Sequence, residues 1–148
     1  MKRAFILIAF SLFLASCGTT STQLYNWGRA DSHGVTDYDR LSYDYYHKQT
    51  PASICNLLVG YEKMINSPGG ARQVPPPGVC AEYGYLLLNP ETSQAFIENA
   101  TDSQKAVYGS SDLASSFRER GLMMMQKEIE LYPESRRFIE PLLKKLSE

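Results

Sequence analysis

The sequence predicts an all-α fold of short helical hairpins, with a helical insert and a C-terminal capping helix. Three observations predict it. Apolar residues recur at spacings of three and four in Ile54, Leu57, Leu58, Tyr61, Met64, Ile65 and in Tyr83, Leu86, Leu87, and the same spacings link Phe117, Gly121, Met124, Met125, Glu128, Leu131 and Tyr132. Strong stops bound these runs: Asn66-Ser67-Pro68-Gly69-Gly70 closes the first, Pro77-Gly78 precedes the second, and Pro133 ends the third. Single glycines, Gly84 and Gly121, stand inside two of the helices. Glycine costs a helix interior about 1 kcal/mol relative to alanine, so two of them point to helices in close approach.

The chain opens MKRAFILIAFSLFLASC. Lys2 and Arg3 precede an apolar run from Ala4 to Leu14, which is shorter than the roughly 20 residues a membrane span needs and reads as a secretory signal. Leu14-Ala15-Ser16-Cys17 resembles the lipobox of bacterial lipoproteins, in which the cysteine thiol is acylated and becomes the first mature residue. That resemblance implies a signal peptide at 1–16, Cys17 as the palmitate-bearing lipidation site, a lipidated tether at 17–23 and one domain at 24–148. Gly18 is not the aspartate associated with inner-membrane retention. The expected location is therefore the outer membrane, lipid-anchored and facing the periplasm.

Without residues 1–16 the chain carries thirteen basic and sixteen acidic side chains and no basic stripe, which speaks against nucleic acid as a partner. The next stretch, LYNWGRADSHGVTDYDRLSYDYYHK, concentrates aromatics in a polar background. Tyr25 and Trp27 read as core. Part of the cluster Tyr43, Tyr45, Tyr46 reads as an exposed surface for a protein partner or, alternatively, for stacking on sugar.

Cys55 and Cys80 remain for other chemistry. In an antiparallel hairpin of the first two periodic runs they stand roughly 15 Å apart, too far for a disulfide. A Cys80 nucleophile would need His33 or His47 as base, and nothing in the spacing supports it. Two cysteines and two histidines without paired spacing make no metal site, and no cofactor is implied. Cys80 reads best as a small apolar residue in the first turn of a packed helix. The three consecutive methionines Met123 to Met125 point around their helix and read as core filling.

Cys80, Tyr83, Gly84, Leu87 and then Gly121, Met125, Glu128, Pro133 stand at the spacing of a tetratricopeptide repeat, with Glu128 departing from the usual alanine. In such a repeat the two glycines would be about twelve residues apart. Here they are thirty-seven apart, so about 89–115 forms an insert. Asn89 and Pro90 begin it as a helix, its apolar face (Ala95, Phe96, Ala106, Val107, Tyr108) is thin, and Gly109-Ser110-Ser111 forms a flexible exit. Beyond Pro133, Phe138, Ile139, Leu142, Leu143 and Leu146 make one apolar stripe on a capping helix that Pro141 should kink or split.

The elements LYNWG, PPPGVCAEYGYLL and KEIELYPESRRFI resemble a family of small uncharacterised Gram-negative outer-membrane lipoproteins with LYxWG, PPGxxAExGYLL and YPES elements. The longer polar stretch from Arg29 to Asp37 and the long insert depart from it. The resemblance implies no catalytic residue. It implies association with a second small lipoprotein and a curli-secretion-pore-like protein. The expected function is a non-enzymatic periplasmic protein-binding or assembly factor in the envelope, with Tyr43, Tyr45, Tyr46 and the exposed part of the insert as contact residues and Trp27, Gly84, Gly121 and Tyr132 as architectural ones. The alternatives are a glycan-binding or regulatory lipoprotein of cell-wall synthesis and, remotely, a Cys80-dependent hydrolase.

Overall fold

The computed structural model describes residues 22–147, so the expected signal peptide at 1–16, the expected lipidation site Cys17 and most of the expected tether lie outside the described residues. The described residues are helical, with no strand beyond a single bridge between Ala30 and Thr36. In order they form α1 (Asp37–Lys48), α2 (Pro51–Asn66), α3 (Val79–Leu88), α4 (Pro90–Asn99), α5 (Asp102–Ala106), α6 (Leu113–Leu131), a 3₁₀ turn (Pro133–Ser135) and α7 (Arg136–Ser147).

Local chemistry sets most of the boundaries. Thr36 with Asp39, Thr50 with Ser53 and Thr101 with Gln104 form capping boxes that start α1, α2 and α5. Asn89 caps α4 through its side chain, accepting from the amides of Glu91 and Thr92, and Asp112 caps α6 by accepting from Ser115. Helix α3 differs, because its N-cap is Gly78, which sits at φ +86° and has no side chain to offer.

The most extensive helix pairing is α3 against α6, and Gly84 faces Gly121 at its centre. A Cβ on Gly84 would lie 2.7 Å from the Gly121 carbonyl oxygen and 2.7 Å from Met125 Cγ. A Cβ on Gly121 would lie 2.6 Å from Leu88 Cγ. Backbone therefore packs on backbone, and the cost of two helical glycines is offset by the closeness they permit. Helix α2 packs against α1 on one side and against α3 and α4 on the other, burying Leu57, Leu58 and Tyr61 completely.

The insert is more central than its sequence suggests. Phe96 and Tyr108 are buried with Phe117 in an aromatic triangle whose ring centroids are 4.7 to 5.3 Å apart. Of the predicted apolar face, Phe96 and Tyr108 are thus buried and Ala95 is half-buried, whereas Ala106 and Val107 face solvent. Periodicity understated the contribution because an aromatic ring carries far more buried area than its one position in the pattern suggests.

The C-terminal helix is not split at Pro141, and it corrects the expectation of one continuous apolar stripe. It runs unbroken from Arg136 to Ser147 with Pro141 inside, and Pro141 is exposed, where water can satisfy the carbonyl left without an amide donor. Its apolar stripe is also divided. Ile139, Leu143 and Leu146 pack with Met125, Ile129, Ala81 and Leu88, whereas Phe138 and Leu142 remain 63% and 40% exposed. Among the methionines, Met124 and Met125 are core and Met123 is exposed.

Candidate functional site

The tyrosine cluster of α1 divides by helical position. Tyr43 and Tyr46 are each 61% exposed, while Tyr45 is half-buried and packs on the core. Tyr45 thus helps hold α1 in place, and only part of the predicted contact set faces solvent. The exposed rings are supported from beneath. Tyr43 lies against the His47 ring with centroids 4.6 Å apart, and Tyr46 stands edge-on to Tyr45 at 5.0 Å.

Glu82 of α3 organises this surface. Its Oε1 accepts from the Tyr46 hydroxyl at 2.9 Å and its Oε2 from the Tyr38 hydroxyl at 3.1 Å. One carboxylate therefore ties two positions of α1 to α3. Partial burial and these bonds to an anion disfavour phenolate, pushing the Tyr46 phenol up to about 12 and that of Tyr38 in the same direction. Tyr85, one helical turn beyond Glu82, is also exposed.

Beside α1 lies a cleft of about 670 Å³ between the N-terminal loop, α1 and α2. Val59, Gly60 and Met64 contribute apolar lining, and Asn26, Asn56 and Lys63 contribute polar groups. At its edge Asp37 accepts from the Arg29 amide and the Arg40 guanidinium, both at 3.0 Å, and these bonds hold its carboxyl below the ordinary value.

Two carboxylates are buried outright. Glu62, 1% exposed, accepts from Tyr83 Oη at 2.6 Å, from Asn66 Nδ2 at 2.7 Å and from the Arg120 guanidinium. Tyr83 also reaches the Tyr108 hydroxyl at 3.2 Å, and the Arg120 guanidinium lies 5.8 Å from the Tyr108 ring centroid. This network joins α2, α3, α6 and the insert.

Glu128, 2% exposed, accepts from the Gly78 amide at 2.7 Å and the Ala81 amide at 3.3 Å. It supplies from α6 the cap that Gly78 cannot supply to α3. Desolvation nevertheless pushes its carboxyl above the ordinary value, with the amide bonds opposing. The sequence carried a signal for this pair: a glycine at a helix start and a carboxylate at a position where the repeat pattern expects a small residue.

Cys80 lies in that capped turn, completely buried, and burial followed by the nearby Glu128 carboxylate pushes its thiol up to about 12. His33 and His47 are exposed on the N-terminal part, so Cys80 has neither a lowered pKa nor solvent access. Cys55 and Cys80 are both free and buried. Among the described residues no group of three or more His, Cys, Asp or Glu side chains is arranged to hold a metal, and no helix is long and apolar enough to cross a membrane.

The three sequence elements singled out for their resemblance meet in one place. The Tyr25 ring of LYNWG stands edge-on to Tyr132 of YPES at 6.4 Å, and Tyr132 donates its hydroxyl to the Pro75 carbonyl of PPPG at 2.6 Å. Upstream, the Gln23 and Leu24 carbonyls accept from the Ala71 and Arg72 amides at 2.9 and 3.0 Å. Trp27 packs half-buried on Tyr38, with ring centroids 4.9 Å apart. These contacts clasp the N-terminal segment to the end of α6 and make Tyr25 and Tyr132 structural.

Comparison with protein-family models, with curated proteins and with solved structures finds no match to the chain.

Proposed function

We propose that the chain is a lipid-anchored outer-membrane protein whose periplasmic, tetratricopeptide-like domain binds another envelope protein and serves its assembly. The envelope location follows from the resemblance of Leu14 to Cys17 to a lipobox. The repeat-like reading is supported by Gly84 meeting Gly121 across α3 and α6. The observation that carries the binding role is the pair Tyr43 and Tyr46, exposed yet held in place by His47, Tyr45 and Glu82. Rigid, partly apolar rings lose little entropy on burial, which is why tyrosine is enriched at binding hot spots. By resemblance, the partner is a secretion-pore-like protein, with a second small lipoprotein.

A photo-reactive amino acid placed at position 43 tests this in living cells. The expected outcome is a discrete crosslink to one envelope protein, absent when the same group is placed at exposed Glu130 on α6. Crosslinking that is no more specific at 43 than at 130 would reject the reading. A second reading, glycan binding, is favoured by the cleft lined by Asn26, Asn56 and Lys63, because amides and cations above an apolar floor suit a polar sugar. Retention on peptidoglycan that is lost in Asn56→Ala and kept in Tyr43→Ala would place glycan binding first.

A further inference from the structure

We propose that α7 is a second membrane contact, lying with its Phe138 and Leu142 edge against anionic phospholipid headgroups. The inference rests on the lipid-anchor reading for its geometry. It stands on three observations.

The first is the divided apolar stripe. Phe138, Leu142 and Lys145 follow at intervals of four and three residues and so share one side of the helix, beside the face occupied by Ile139, Leu143 and Leu146. Both apolar members of that side are exposed, and the Arg137 guanidinium lies 4.5 Å from the Phe138 ring centroid.

The second is charge. Residues 136–147 carry four cations and one carboxylate, whereas residues 22–135 carry nine basic and fourteen acidic side chains. The helix that exposes phenylalanine and leucine is therefore net positive, while the rest of the described chain is net negative. A basic amphipathic helix of this kind lies in the plane of an anionic interface, its apolar edge among the headgroups and its cations toward the phosphates.

The third is where the tether leaves. Tyr25 meets Tyr132, and Tyr132 directly precedes the 3₁₀ turn that leads into α7. Four residues separate Cys17 from Thr22, so the two Cα atoms are at most about 18 Å apart. An acylated Cys17 therefore holds the clasp, and α7 beside it, within reach of the membrane surface. Two apolar side chains bind a membrane weakly by themselves; next to an anchor they act at high effective concentration and fix how the domain is turned.

The test uses full-length protein reconstituted into phosphatidylcholine vesicles with or without phosphatidylglycerol, reading amide hydrogen exchange across residues 136–147. Exchange is expected to slow at least about fivefold with phosphatidylglycerol, to recover at high salt, and to recover in Phe138→Ser/Leu142→Ser with α3 and α6 protection unchanged. Exchange indifferent to phosphatidylglycerol overturns the proposal. So does protection that follows protein density in phosphatidylcholine alone, which would assign this edge to a second copy of the chain. The mass of the N-terminal peptide reports acylation of Cys17 separately: an unmodified cysteine with phosphatidylglycerol-dependent protection rejects the anchor and keeps the α7 contact, and the reverse result rejects α7 alone.

Discussion

Helices α3 and α6 make two helix contacts of opposite character, one with each other and one with α7. Their mutual seam is backbone on backbone, with Gly84 and Gly121 leaving no room for a methyl group. Against α7 the same pair offers Ala81, Leu88, Met125 and Ile129, and three side chains of α7 fill that surface. The seam leaves nothing free for other use, whereas α7 keeps two of its five large apolar side chains exposed. Closeness at a seam is set by shape and tolerates no substitution; a docked helix is held by side chains and can serve a second surface with what remains.

The strongest way to break the comparison is to add atoms at the seam. Gly121→Val should cost at least about 3 kcal/mol, because its Cβ would press on Leu88 and on the Gly84 carbonyl and Val also restricts the helix. Urea unfolding reads the loss directly, and a small loss would show that the helices can part without penalty.

Next in size is the polar network behind the seam. Glu62→Ala should cost about 3 kcal/mol or more, since it leaves the Arg120 guanidinium without its carboxylate and the Tyr83 hydroxyl with only Tyr108 to accept from it. Glu62→Leu/Arg120→Leu should recover much of that loss, because removing both charges also removes their desolvation. A double variant as unstable as Glu62→Ala would mean that the network holds the insert in a way apolar packing cannot replace.

Glu128 sharpens the comparison through pH. Its folded-state pKa is raised from 4.5, so the folded chain retains this proton at pH values where the unfolded chain has lost it. The associated stability is present below 4.5 and is lost as pH rises through the folded value. Asp37, Asp39 and Asp112 act oppositely: their pKa values are lowered from 3.8, and their stabilisation is lost as pH falls below it. From 4.5 up through the folded value Glu128 is thus expected to make stability decline with rising pH, and Glu128→Gln should flatten that slope. Denaturation midpoints across this range for both proteins check it; parallel curves would dissociate the pH response from this cap. At fixed pH the substitution should cost about 1 kcal/mol, through the weaker cap on α3.

The smallest effect should fall on α7. Phe138→Ser removes a ring that is largely solvated and should change stability by less than about 1 kcal/mol, against several for Gly121→Val. Thermal unfolding makes the comparison, and a large loss would mean that the exposed edge is part of the core.

The helices themselves were legible in the sequence because their signals are local. Thr36, Thr50 and Asn89 cap from adjacent positions, Pro133 follows the last periodic residue of α6, and glycine inside a helix has few uses besides close packing. The division of the tyrosine cluster was partly legible, as helical spacing turns Tyr45 away from Tyr43 and Tyr46. Charge burial was not. Glu62 looks like an ordinary polar position, and Glu128 only like a departure from the small residue of the repeat pattern, until Arg120, fifty-eight residues from Glu62, and the Gly78 amide, fifty from Glu128, arrive to satisfy them. No local pattern encodes a partner at that separation.

The insert and α7 mark the same boundary. Phe96 and Tyr108 become core because α6 brings Phe117 to them, and Phe138 and Leu142 remain outside because α7 has a neighbour on one side only. Sequence by itself determined where helices begin and end and which faces are apolar, since hydrogen-bond capping and side-chain periodicity act within a few residues. Only the tertiary structure decided which part of each face is covered and which carboxylates lose their water, because both depend on the position of a neighbour that the chain reaches tens of residues away.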